Sequence, residues 1–78
     1  MSDPLTGLPL RRRQEEICAV LGSATPERPF TANELAHFAR LSLAETKGAL
    51  RGLVKRGTVR KRTDPSKPTS NLYFRGWR

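Results

Sequence analysis

Two helix-start signals stand eleven residues apart in this chain, Thr31-Ala-Asn-Glu34 and Ser42-Leu-Ala-Glu45. In such a capping box the hydroxyl accepts from the backbone N–H three residues on. The carboxylate reaches back to the N–H of the hydroxyl residue, so two donors that a helix start leaves orphaned are satisfied. One helix must begin after Thr31 and another after Ser42, and the first must end in between. Phe30 and Leu35 flank the first box as a hydrophobic staple.

These constraints predict a helix over Ala32–Ala39 with Leu35, Ala36, Phe38 and Ala39 on its buried side. They predict a further helix over Leu43–Arg56, closed by Gly57. Leu43, Thr46, Leu50, Leu53 and Val54 recur at helical spacing as its inner face, and Ala44, Lys47, Gly48, Arg51 and Lys55 lie opposite. With only Arg40–Ser42 between them, the two helices must cross at a helix-turn-helix corner. Upstream, Leu10, Ile17, Val20 and Leu21 predict a helix over 9–21, with Pro9 at its first position, Cys18 at the stripe's edge and Gly22 as its stop. Residues 28–30 are placed to make a short strand, and residues 1–8 read as a flexible arm. Downstream, 58–63 and 72–74 read as strands around a turn at 64–70, where Pro65 and Pro68 stay out of any sheet interior. Val59, Leu72 and Phe74 are expected over the helices and Tyr73, Arg75 and Trp77 on the other face, but the pattern of residues 72–77 leaves the choice of face open. The fold class is α+β, mainly α, with three helices before a two- or three-stranded hairpin. Residues 9–78 form a single domain.

The charge is concentrated on this frame. The segment 40–62 holds eight basic residues and one acid, Glu45, and accounts for +7 of a net +8. A localised cationic surface of this kind points to a nucleic-acid backbone. Other chemistries find little support. A single Cys18 excludes an internal disulfide and any zinc framework built on several cysteines. His37 is the one histidine, and Glu15 and Glu16 are adjacent, so on a helix they diverge instead of pairing. No apolar run approaches the roughly 18 residues of a membrane span, and Asp3, Pro4, Gly7 and Pro9 interrupt any signal-peptide core. Arg11–Arg13 sit at the positive end of the first helix, where they are either solvated or held by a phosphate or a partner.

The Thr31-Ala-Asn-Glu-Leu-Ala36 helix, the Leu41-Ser42 turn, and Leu50, Leu53, Gly57 and Val59 in register resemble the winged helix-turn-helix family of bacterial and phage DNA-binding regulators. The resemblance runs over 30–74. It implies that Leu43–Arg56 is a recognition helix for the major groove and that the hairpin is a wing on flanking backbone. On that basis the DNA-binding candidates are Arg40, Ser42, Ala44, Lys47, Gly48, Arg51, Lys55, Arg60, Arg62 and Lys67. Lys47 and Arg51, on the N-terminal turns and outward, are the candidates for base or phosphate contact, while Arg60 and Arg62 share one strand face and Lys61 takes the other. The expected partner is double-stranded DNA, met as a homodimer or cooperative array by a cytoplasmic, nucleoid-associated regulator. No cofactor, metal, membrane, small-molecule ligand or enzymatic reaction is expected. A protein-interaction module within a nucleoprotein assembly and an RNA or single-strand binder are the other readings. Two departures from the family stand out: Arg40 where glycine often makes the turn, and Gly48 and Gly52 inside the recognition helix. Gly48 either admits a backbone closely or leaves a helix that firms up on binding.

Overall fold

Both capping boxes close. In the computed structural model, which describes residues 2–77, Glu34 N–H donates to Thr31 Oγ1 at 3.1 Å and Thr31 N–H to Glu34 Oε1 at 3.0 Å. The Ser42–Glu45 pair repeats this at 3.1 Å in each direction. Met1 of the expected arm and Arg78 of the expected domain lie outside the described residues. The helices are α1 (Arg12–Leu21), α2 (Ala32–Ala39) and α3 (Leu43–Arg56), and the strands are β1 (Phe30–Thr31), β2 (Val59–Asp64) and β3 (Lys67–Arg75). Helices α2 and α3 have the predicted ends. Gly57 closes α3 at φ 83°, and its N–H donates to Val54 O at 3.0 Å. Arg40 closes α2 in the same left-handed region at φ 57°, without glycine's freedom.

Ile17, Leu21, Leu35, Leu50, Leu53 and Val59 are each at most 1% exposed and form the core between the helices and the sheet. Three expected inner positions differ. Phe38 and Leu43 are exposed and Val54 is half-buried, while Ala49 is buried instead. Phe38 stacks against Phe30 at the rim, with ring centroids 5.7 Å apart.

Helix α1 begins at Arg12, not at Pro9, because residues 2–9 fold back on themselves. Asp3 N–H donates to Leu8 O at 2.7 Å, Gly7 N–H to Asp3 O at 2.8 Å, and Ser2 bridges to Pro9. Pro9 is thereby extended, and Arg11 becomes the N-cap, its N–H donating to Gln14 Oε1 at 3.1 Å. This turn plants the buried Asp3 carboxylate against the body, where Thr58 Oγ1 donates to it at 2.6 Å and Arg56 lies at 3.5 Å.

The sheet is antiparallel, in the order β1-β3-β2. Val59 pairs with Arg75, Lys61 with Tyr73 and Phe30 with Tyr73, whereas Arg60 pairs with Phe74 and Arg62 with Leu72. Directly paired residues share a face. By pairing, the face anchored by buried Val59 carries Tyr73 and Arg75, and Leu72 and Phe74 alternate to the other one, although Phe74 is half-buried and still packs against the edge of the core. Tyr73 and Leu72 thus exchange the places expected of them, while Phe74 keeps a core contact as expected. Arg75 is held inward because its guanidinium donates to Gly22 O at 2.7 Å, beyond the C-terminus of α1. A cation there also suits the helix dipole. The turn at the wing tip is shorter than expected, and β3 starts at Lys67. Pairing jumps from Thr63–Asn71 to Asp64–Lys67, which leaves residues 68–70 bulged out of the ladder. Pro68 is in that bulge, where its missing N–H costs no ladder bond.

Candidate nucleic-acid interface

Around the axis of α3, successive residues turn by about 100°. Lys47, Arg51, Ala44, Lys55 and Gly48 therefore follow one another across its outer side, and all of them are exposed. The wing borders this side on one flank. There, Lys47 and Arg51 share a hollow with Lys61, Asn71 and Tyr73, over a floor of Leu50 and Val54. Lys61 reaches it because the sheet register puts Lys61 on Val59's face, toward α3. Lys47 also borders a second hollow nearer the helix start, with Asn33, Thr69, Ser70 and Asn71. Among the described residues, Lys47, Arg51 and Lys61 make no ion pair.

The other candidates fall into separate places. Arg60 and Arg62 lie on the outer face of the wing, where the Arg62 guanidinium stands 5.8 Å from the Phe74 ring centre. Lys67 is at the wing tip, opposite Asp64, and Lys55 is exposed in the last turn of α3. Ser42 spends its hydroxyl on the cap. Ala44 and Gly48 border a third hollow, walled by Arg11, Arg12 and Arg13. Arg40 lines a neighbouring one with Arg12, Arg13 and Glu16. Sequence reasoning omitted Lys61, Asn71 and Tyr73 from the candidates. A signal for Lys61 existed, because it stands two residues after the apolar Val59 and must share that residue's face.

Glu45, the one acid of the basic segment, is tied down. The Ser42 backbone N–H, the Ser42 hydroxyl and then the nearby Arg13 hold its carboxyl below the usual range. Arg13 Nε is 2.9 Å from it. The acid thus neutralises Arg13 and caps its own helix, and Lys47, Arg51 and Lys61 beside the wing keep no ion pair among the described residues. Cys18 is buried, and desolvation followed by the Asp3 charge pushes its thiol up to about 11, which suits a core residue and not a nucleophile. His37 is exposed, edge-on to Phe38. Among the described residues, no helix is long and apolar enough to cross a membrane.

No protein-family model and no curated protein sequence matches the chain. Solved structures do resemble it. The adhesin competence repressor AdcR from Streptococcus pyogenes superposes with a TM-score of 0.71 at 23% identity, over 85% of this chain and 46% of that one. MepR from S. aureus, solved as a DNA complex, gives 0.76 at 14% identity, over 85% and 52%. The zinc-responsive MarR family member ZitR from Lactococcus lactis gives 0.72 at 18%, over 92% and 47%. The chain spans about half the length of these structures. With three helices, a corner between α2 and α3 and a sheet ending in the β2–β3 hairpin, and with this likeness over most of its length, the chain has the winged helix-turn-helix fold.

Proposed function

We propose that this chain binds double-stranded DNA as a small transcriptional regulator, with α3 in the major groove and the wing on adjacent backbone. The observation that carries the proposal is the convergence of Lys47, Arg51 and Lys61, free of ion pairs among the described residues, on one flank of an exposed helix. Long cationic donors beside a helix that can enter the groove supply both phosphate attraction and base-edge contact. The residues proposed to touch DNA are Lys47, Arg51 and Lys61 in the α3–wing hollow. Ala44 and Gly48 are proposed on the helix surface, Ser42 and Lys55 at its ends, and Arg60, Arg62 and Lys67 along the wing. MepR, one of the structural neighbours, was solved with DNA, which accords with this reading.

The long dimension of the molecule is 35 Å, about one turn of duplex. One copy therefore reads few base pairs, and a homodimer or an array of copies on DNA is proposed to supply specificity. Its place of action would be the cytoplasm, on the nucleoid of a bacterium or on phage DNA. Binding alone would produce the effect, by occupying a site that other proteins need.

Titration of a labelled mixed-sequence 30-base-pair duplex at several salt concentrations tests the proposal. With about five phosphates neutralised, log K should fall against log salt with a slope near −4 to −5. The K47A/R51A/K61A variant, with its fold verified by circular dichroism, should bind at least 100-fold more weakly. Equal binding by that variant, or a slope near zero for the unaltered protein, would sink the reading. Preference for single strands or duplex RNA over duplex DNA in the same titration would move the function to those ligands.

A further inference from the structure

The flank of α3 away from the wing is also cationic, and its charges come from segments far apart in the chain. Arg11, Arg12 and Arg13 of the α1 start wall the hollow whose α3 side is Ala44, Glu45, Gly48 and Ala49. Arg12 and Arg13 also line the adjoining hollow with Arg40, from the turn between α2 and α3. Of these four, Arg13 is matched by Glu45. Arg11, Arg12 and Arg40 are exposed and have no ion pair among the described residues, although Glu45 borders both hollows and Glu16 the second.

Local stability does not explain this placement. Cations in the first turn of a helix oppose its dipole. Arg40 adds a left-handed φ of 57° that glycine would adopt without strain. The surface between Arg12 and α3 is low, with alanine at 44 and open space where a Gly48 side chain would stand. Lys47 and Gly48 are separated by about 100° around α3, so the two cationic flanks lie on either side of the same exposed ridge.

We infer that Arg11, Arg12 and Arg40 form a second phosphate-binding flank, which grips the backbone bordering the groove on the side opposite the wing. The inference rests on the DNA reading above and extends it. The duplex is held from both sides of α3, and Arg13 serves as the ion-paired partner of Glu45 and not as a contact. The planar guanidinium groups suit phosphate oxygens, which accept two parallel N–H donors.

The test compares the full chain, an R11A/R12A/R40G variant and the K47A/R51A variant on the same 30-base-pair duplex across a salt series. Glycine is chosen at Arg40 to keep the left-handed backbone. Removing two to three phosphate contacts should make the slope of log K against log salt shallower by about 2–3. The melting temperature should stay level or rise, whereas a structural role for these arginines would lower it. Hydroxyl-radical footprinting should show protection lost at one border of the site only. A slope unchanged from the full chain, with K47A/R51A defective, would overturn the second flank and leave the DNA reading standing. A full chain without salt-dependent duplex binding would overturn both.

Discussion

Gly48→Ala separates two explanations for a glycine in the middle of the exposed face of α3. Glycine inside a helix is about 1 kcal/mol less favourable than alanine. Among the described residues, nothing beyond the helix's own backbone lies within 4 Å of where a Cβ at this position would stand, so the added methyl meets no clash. The substitution should therefore stabilise the protein by close to that full amount. For a domain of this size, that corresponds to a rise in Tm of roughly 4–8 °C. Gly52→Ala is the control within the same helix. Its Cβ would come 3.0 Å from Gln14 Nε2, and Gln14 also holds the Arg11 N–H. Shifting Gln14 should offset the propensity gain, leaving stability nearly unchanged.

The binding assay then decides why Gly48 is there. If a DNA backbone or base edge comes against the low surface beside Arg11 and Arg12, the alanine methyl obstructs it. Affinity should fall at least tenfold, about 1.4 kcal/mol, although the protein is more stable. If the glycine instead keeps the helix loose until it binds, alanine pre-organises it and binding tightens. A tighter complex, or one with unchanged affinity, would refute the close-approach account. No rise in Tm would refute the reading of the site as an open, helical position.

Three further substitutions probe the fold. Thr46 is fully buried and its Oγ1 has no hydrogen-bond partner among the described residues, so Thr46→Val should raise stability by about 1 kcal/mol in urea unfolding with an unchanged m value. A Cβ on Gly76 would run into Gly57 O and come 2.9 Å from Thr58 O, so Gly76→Ala should cost about 1–3 kcal/mol by the same measurement. At Asp3, burial raises the carboxyl pKa, but hydrogen bonds from Thr58 and from the Thr6 and Leu5 N–H groups outweigh it and hold the group below its ordinary 3.8. A lowered folded pKa contributes stability that is complete above the unfolded value and lost as pH falls through the folded one. Asp3→Asn should therefore be less stable by about 2 kcal/mol at pH 7, with the gap closing below pH 4 in pH-dependent denaturation. A gap that persists at low pH would show that the carboxylate charge is not what matters.

The ends of α2 and α3 were legible because each is written locally, in two capping boxes and in Gly57. The start of α1 was not. Pro9 is a sound first-turn residue, but the competing signal is the Asp3 carboxylate, whose partner Thr58 is 55 residues away. No local pattern reveals that pairing, which turns Pro9 into part of a bridge. The bulge in β3 was foreshadowed by Pro68, yet its position depends on the register of the whole hairpin.

The wing shows why the candidate site was only partly readable. Leu72, Tyr73 and Phe74 are consecutive and apolar or aromatic, so they carry no alternation from which to choose a buried face. Val59 fixes β2, but the partner of Val59 is Arg75, and a guanidinium is not an obvious inward residue. It points inward because Gly22 O offers it an acceptor past the end of α1. That single tertiary bond accords with a register in which Tyr73, not Leu72 or Phe74, looks toward α3. The same register divides the run Arg60-Lys61-Arg62. The outer two go with Phe74 and Leu72, and the middle one joins Lys47 and Arg51. Charge density along the chain located the basic segment, but the pleat decides which of its members share a surface. The reading can be tested at single positions. If the pleat controls access, Lys61→Ala should weaken duplex binding more than Arg60→Ala, although the two cations are neighbours in sequence. Equal losses would mean that the long side chains reach around the wing and that the register does not set the interface.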